Sequence, residues 1–328
     1  MTETPGTRSM QLILAAVAAL AVLAAFCPAT HSQVNTDPPA STVRLVFVHH
    51  SCGNNWLDTG NGNLGNTLGT NNYYVRDTYY GWDAPYNTDI GSSTDTTDWY
   101  TWFADTTIQG NSVARRDNIM GALYTTNNKN ATYAPITDPG GENDIIMFKS
   151  CYPCSEVGGS INDEKAIYND LLPYFGSRTD KLFVLVTPPG ETVVSSWELT
   201  EELCNWLCDR ENGWLSRYPY HNVAVFDFYN VLSETDAHHR VHNGQVQHYN
   251  SPSADGTSPY HDGDDHPNST GNQKSTDEFA QLLNSFYNCW QNDPIRINFQ
   301  PTEATATAGY VLDDGSTYGT GINYGWIP

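Results

Sequence analysis

Basic residues are scarce in this chain. Lys and Arg together number 15 against 37 Asp and Glu, a formal net charge of −22 over 328 residues. Nucleic-acid backbones are held by clustered cations that displace counterions, so nucleic acid is excluded as a partner. Docking on anionic lipid is disfavoured on the same ground. Charge of either sign is limited to 16% of residues, so the polar surface must be built from uncharged groups, chiefly Asn, Thr, Ser, Gly and Tyr. That composition is common in exported proteins, and it suits neutral substrates such as esters or polysaccharides. No HExxH or similar metal signature occurs. General disorder is excluded as well, because 39% hydrophobic and 12% aromatic residues can build a packed core.

Long apolar runs are nearly absent, with one exception. Met10–Phe26 follows a short segment carrying Arg8 and precedes small residues, the pattern of a secretory signal peptide. Thr30 and Ser32 take the −3 and −1 places for cleavage before Gln33. The alternative is a membrane anchor, for which roughly 17 Ala-rich residues is short. The expected location is secreted, extracellular or periplasmic, with no membrane attachment after processing. Residues 33–41 read as a polar linker. Removing residues 1–32 leaves six cysteines: Cys52, Cys151, Cys154, Cys204, Cys208 and Cys289. An even number in an exported protein predicts disulfides, with 15 possible pairings. Zinc is the rival, on Cys151-x-x-Cys154 or Cys204-x-x-x-Cys208.

The rest divides by pattern. Val43–Val48 is a continuous apolar, β-branched run and predicts a buried strand. Residues 51–142 show few periods and are expected to be mostly long, aromatic-bearing loops, with a second strand over Asn72–Asp77. Beyond them, strands at Asp144–Lys149, Lys181–Val186 and Asn222–Phe228 alternate with helices at Asp163–Phe175, Ser196–Asn212 (Ser196 as N-cap) and Ser275–Trp290. Apolar strands alternating with helices predict a parallel sheet covered on both faces, a three-layer α/β/α domain over about 42–293. Residues 294–328 are Gly- and aromatic-rich with strand-like runs, too short to bury a core of their own. They read as an incomplete β-rich module of the malectin-like type or as a tail packed on the main domain.

Ligands of open α/β sheets bind beyond the carboxyl ends of the strands. Three segments fall there. The first, His49-His50-Ser51-Cys52-Gly53-Asn54, puts a serine at a strand-to-helix turn, where it is either a nucleophile or a helix cap. The second, Lys149-Ser150-Cys151-Tyr152-Pro153-Cys154, offers Ser150 as an oxyanion donor or forms a disulfide-stapled loop. The third, His261-Asp262-Gly263-Asp264-Asp265-His266, supplies an imidazole beside carboxylates, as a general base requires. The same acidic loop, 262–265, is alternatively a solvated loop or a calcium site. No other cofactor is expected.

Taken in order, these segments resemble the SGNH (GDSL-type) hydrolases over about residues 43–290. The resemblance implies a flavodoxin-like α/β/α fold and a Ser–His–Asp esterase acting on lipids, acetylated sugars and related esters. It aligns Ser51 with the nucleophile and His266 with the base, supported by Asp264 or Asp262. The family's opening Gly-Asp-Ser is His49-His50-Ser51 here. Its oxyanion Asn has no counterpart, so Gly53, Asn54, Gly81, Gly91 and Ser150 are the candidate oxyanion donors. Tyr80, Trp82, Trp99 and Trp102 are candidates for a sugar-stacking wall. The expected partner is an acylated carbohydrate or another small ester. Two other readings stand beside this one. One is a catalytically silent carbohydrate-binding protein. The other is a metal-dependent hydrolase built on Asp236, His238, His239, His242 and His248, with His239 and His242 sharing a helical face.

Overall fold

A computed structural model of the chain describes residues 33–82, 92, 94–104, 112–150, 160–190, 197–250, 258–261, 263–291, 297–299 and 311–313. The expected leader, residues 1–32, lies outside the described residues. Five strands form a parallel sheet: β1 (Val43–Val48), β2 (Tyr73–Thr78), β3 (Ile145–Phe148), β4 (Leu182–Val186) and β5 (Val223–Phe226), in the order β2-β1-β3-β4-β5. Every residue of these five strands is buried, which is why β1, β3, β4 and β5 read as continuous apolar runs rather than alternating ones.

Alternate side chains of the strands feed two separate cores. Leu45, Phe47, Met147, Val184 and Phe226 point to one face. They are covered there by α1 (Ser51–Leu57), α2 (Leu64–Thr70), α7 (Phe228–Ser233) and α8 (Ser269–Gln291). Val46, Val48, Phe148, Phe183 and Leu185 point to the other, under α3 (Trp99–Phe103), α4 (Val113–Thr125), α5 (Ile161–Ser177) and α6 (Trp197–Cys208). The result is a sheet with helices on both faces, as expected for a three-layer α/β/α arrangement. No helix among the described residues is long and apolar enough to cross a membrane.

Several expectations need correction. Residues 51–142 hold more regular structure than one strand: besides β2 they contain the helices α1, α2, α3 and α4. Helices α1 (SCGNNWL) and α2 (LGNTLGT) are rich in Asn and Gly, poor helix formers. They are held by burial of Trp56, Leu57, Leu64 and Leu68, with the Trp56 indole N–H bonded to Thr276 Oγ1 at 3.0 Å. Trp99 and Trp102 do not form a substrate wall; they are 0% and 1% exposed. Trp99 packs edge-on against Phe148 and Tyr168, and Trp102 lies against Phe103. Ring-sized apolar area gains about 1.5–3 kcal/mol from such burial, so the core takes them.

The histidine-rich segment is also not helical. His238–His242 is strand β6, paired antiparallel with β7 (Gln245–Tyr249) through a turn at Asn243 (φ 51°) and Gly244 (φ 74°). Left-handed values at both central residues make the tight hairpin turn that Asn-Gly favours. His239 and His242 therefore lie on opposite faces. The strands β8 (Ile297–Phe299) and β9 (Val311–Asp313) fall inside the strand-like runs expected of the tail and pair in parallel. No disulfide joins two of the described cysteines, and Cys208 is a free thiol; Cys151 and Cys154 lie outside the described residues.

Candidate active site

The order β2-β1-β3-β4-β5 reverses direction between β1 and β3, and crevices at such reversals bind ligands in doubly wound sheets. Ser51 opens α1 directly beyond the end of β1, and Ser150 lies just beyond β3. The turn that presents Ser51 is packed from beneath. A Cβ on Gly53 would sit 2.4 Å from His49 Cβ, so only glycine lets the first turn of α1 close down on the His49 ring.

His49 is fully buried, and its two ring nitrogens face a carbonyl and a carboxylate. Nδ1 lies 2.8 Å from His50 O, and Nε2 lies 3.2 Å from Asp77 Oδ2. Both ring nitrogens thus face acceptor oxygens inside the core. Asp77 also takes hydrogen bonds from Asn130 N, Ala131 N and the Tyr133 hydroxyl. Burial pushes the Asp77 carboxyl up, but the His49 contact and these donors outweigh it and hold it below its ordinary value. The pair was not foreseen. The available signal was a polar residue ending each of two adjacent apolar strands, with Phe47 in register with Asp77.

Above this base, Ser51 meets the third segment. Ser51 Oγ lies 2.7 Å from His266 Nε2. His266 Nδ1 lies 3.1 Å from Asp264 Oδ1, which also accepts the His266 backbone N–H at 2.8 Å. That backbone bond is the first cause, before the contacts from the His266 ring, that holds the Asp264 carboxyl below its ordinary value. The hydroxyl, imidazole and carboxylate thus stand in line. The order of contacts suits the tautomer in which Nδ1–H donates to Asp264 and Nε2 faces the serine hydroxyl. Asp264, not the residue three before His266, fills the carboxylate place. That position is Gly263, which turns the chain with φ 87°. Asp262 lies outside the described residues. The site is open to solvent, with the His266 side chain 38% and Asp264 69% exposed.

Compared with known protein families, curated proteins and solved structures, the chain matches none.

The other expected site residues are scattered in their roles. The Asn54 backbone N–H is spent on His50 O at 3.0 Å, leaving its side-chain amide. Ser51 and Gly53 precede that first helical hydrogen bond, so their N–H groups have no acceptor within the helix. The Gly81 N–H is directed to Ser92 Oγ at 3.2 Å. Ser150 is fully buried and its hydroxyl has no hydrogen-bond partner among the described residues. Gly91 lies outside the described residues. Tyr80 is 47% exposed and stacks on His50, ring centres 4.3 Å apart, with His50 held in turn by Thr94 Oγ1 at 2.7 Å. Trp82 is half-buried against the second core. Among the described residues, the acidic loop at 263–265 is not part of any group of three ligand side chains close enough for a metal; Cys208, Asp227 and His248 are.

Proposed function

We propose that this chain is a secreted serine ester hydrolase of the SGNH type, acting on acylated carbohydrate. The observation that carries the reading is the unbroken contact from Ser51 Oγ to His266 Nε2 and from His266 Nδ1 to Asp264. His266 takes the serine proton as Ser51 attacks the ester carbonyl, and Asp264 holds the ring and stabilises the imidazolium that forms. The backbone N–H groups of Ser51 and Gly53, in the first turn of α1, receive the oxyanion. Each such donor is worth roughly 3–4 kcal/mol in the transition state. His266 then protonates the leaving alcohol, and water attacks the acyl-enzyme by the reverse route.

The substrate class rests on two features. A surface of net charge −22 repels anionic lipid and tolerates neutral glycans. The exposed Tyr80 ring, two residues' packing away from Ser51 through His50, offers an apolar face of the kind on which pyranose rings stack.

The test is release of acetate from acetylated oligosaccharides by the wild type beside Ser51→Ala. Release by the wild type alone supports the reading. Glycan binding without release by the wild type would replace it with the carbohydrate-binding alternative.

A further inference from the structure

The carboxyl edge of the sheet carries a second cluster of reactive side chains at β5, separated from β1 by the two strands β3 and β4. Asp227 follows β5 directly and is fully buried. Its carboxylate accepts from Asn230 N at 3.1 Å, Asn230 Nδ2 at 2.6 Å and Thr187 Oγ1 at 3.3 Å. His248 of β7 brings Nε2 to 2.6 Å from Asp227 Oδ2. Cys208, the last residue of α6, closes the group. One donor atom from each of Cys208, Asp227 and His248 lies within 4.8 Å of the other two. Ester hydrolysis at Ser51 uses none of the three.

Sulfur, nitrogen and oxygen donors drawn from three separate elements form a set that zinc accepts and that is too soft for calcium or magnesium. Neighbouring groups brace the set. His239 Nδ1 accepts the Asp227 backbone N–H at 3.0 Å, so its ring fixes the residue from behind. Asn230 is 1% exposed, and its Oδ1 has no hydrogen-bond partner among the described residues, leaving an acceptor for a bound water beside the carboxylate. The His248 side chain is 24% exposed and marks the entry path.

The geometry points to a zinc-type divalent cation site made by Cys208 Sγ, Asp227 and His248, with one coordination position left for water. On binding, the thiol proton and the proton held between Asp227 and His248 pass to solvent. Thiolate and carboxylate then balance the two charges of the ion.

The experiment is titration of the chelator-stripped full chain with Co(II), followed by Zn(II). One Co(II) per chain is expected, with a thiolate-to-cobalt charge-transfer band in the near ultraviolet that equimolar Zn(II) bleaches. Cys208→Ser is expected to abolish the band. His248→Gln, on the hairpin, is expected to weaken Zn(II) binding by about 100-fold or more. Circular dichroism checks that each variant keeps its fold. Zinc X-ray absorption on the wild type needs no variant and is expected to give one sulfur with nitrogen and oxygen neighbours. No band, a band that survives Cys208→Ser, or a zinc shell with no sulfur or several would overturn the site.

Discussion

Two Asp–His pairs flank the same serine, and burial separates what each can do. His49–Asp77 lies beneath Ser51 with both side chains 0% exposed. His266–Asp264 lies above it with the side chains 38% and 69% exposed. In the lower pair both imidazole nitrogens are engaged by oxygens inside the core, so the ring is placed to hold the turn. In the upper pair one nitrogen faces a hydroxyl, so the ring can take a proton and return it. The buried, well-satisfied pair serves the architecture, and under the proposed function the accessible pair carries the proton transfer.

This contrast can be broken at four points, taken from the largest effect down. His266→Gln removes the proton acceptor, and kcat should fall by a factor on the order of 10⁴ or more, measured as ester turnover under saturating substrate. Asp77→Asn breaks the buried contact with His49 and removes a carboxylate that three further donors share, and the cost should be about 3–5 kcal/mol of stability in urea unfolding.

Glu164 sharpens the comparison because it is a buried acid of the opposite kind. It is 0% exposed, and among the described residues neither oxygen has a partner in hydrogen-bond geometry. Burial pushes its carboxyl up to about 7, opposed only in part by the neighbouring Thr96. A raised acid binds a proton in the folded state that the unfolded chain has already released. Stability therefore falls as pH rises from about 4.5 to about 7, by about 3 kcal/mol in all. Glu164→Gln should remove that slope, raising the melting temperature at pH 8 and hardly at pH 4. Asp77, by contrast, is held low, so its contribution is present above its ordinary value and is lost only as pH falls well below it.

The smallest effect is expected at Asp264. Exposed pairs couple weakly, so Asp264→Ala should lower kcat about tenfold, far short of the roughly 10⁴ seen where the triad aspartate is buried. Turnover of the variant beside wild type measures it.

Much of this was legible from residue order alone. A serine directly after the first apolar strand and a histidine among aspartates before the last helix are local patterns, and the fold brings them to 2.7 Å. That Asp264 meets the ring was not legible, because it depends on the turn that Gly263 makes and on the backbone bond from His266. Trp99 and Trp102 show the limit of composition. An aromatic-rich stretch announces large side chains without saying whether they face solvent or the sheet. Helices α1 and α2 escaped detection because Asn- and Gly-rich sequences become helical only through the partners they pack on. The β6–β7 hairpin carried its own signal in Asn243-Gly244, which the abundance of histidine obscured.

The central claim is that Ser51 is an activated nucleophile. Labelling with a fluorophosphonate probe tests it most directly, on the wild type, Ser51→Ala and His266→Gln side by side. The account predicts stoichiometric label on the wild type and none on either variant. A folded wild type that takes no label, or a Ser51→Ala variant labelled as fully as the parent, would contradict it.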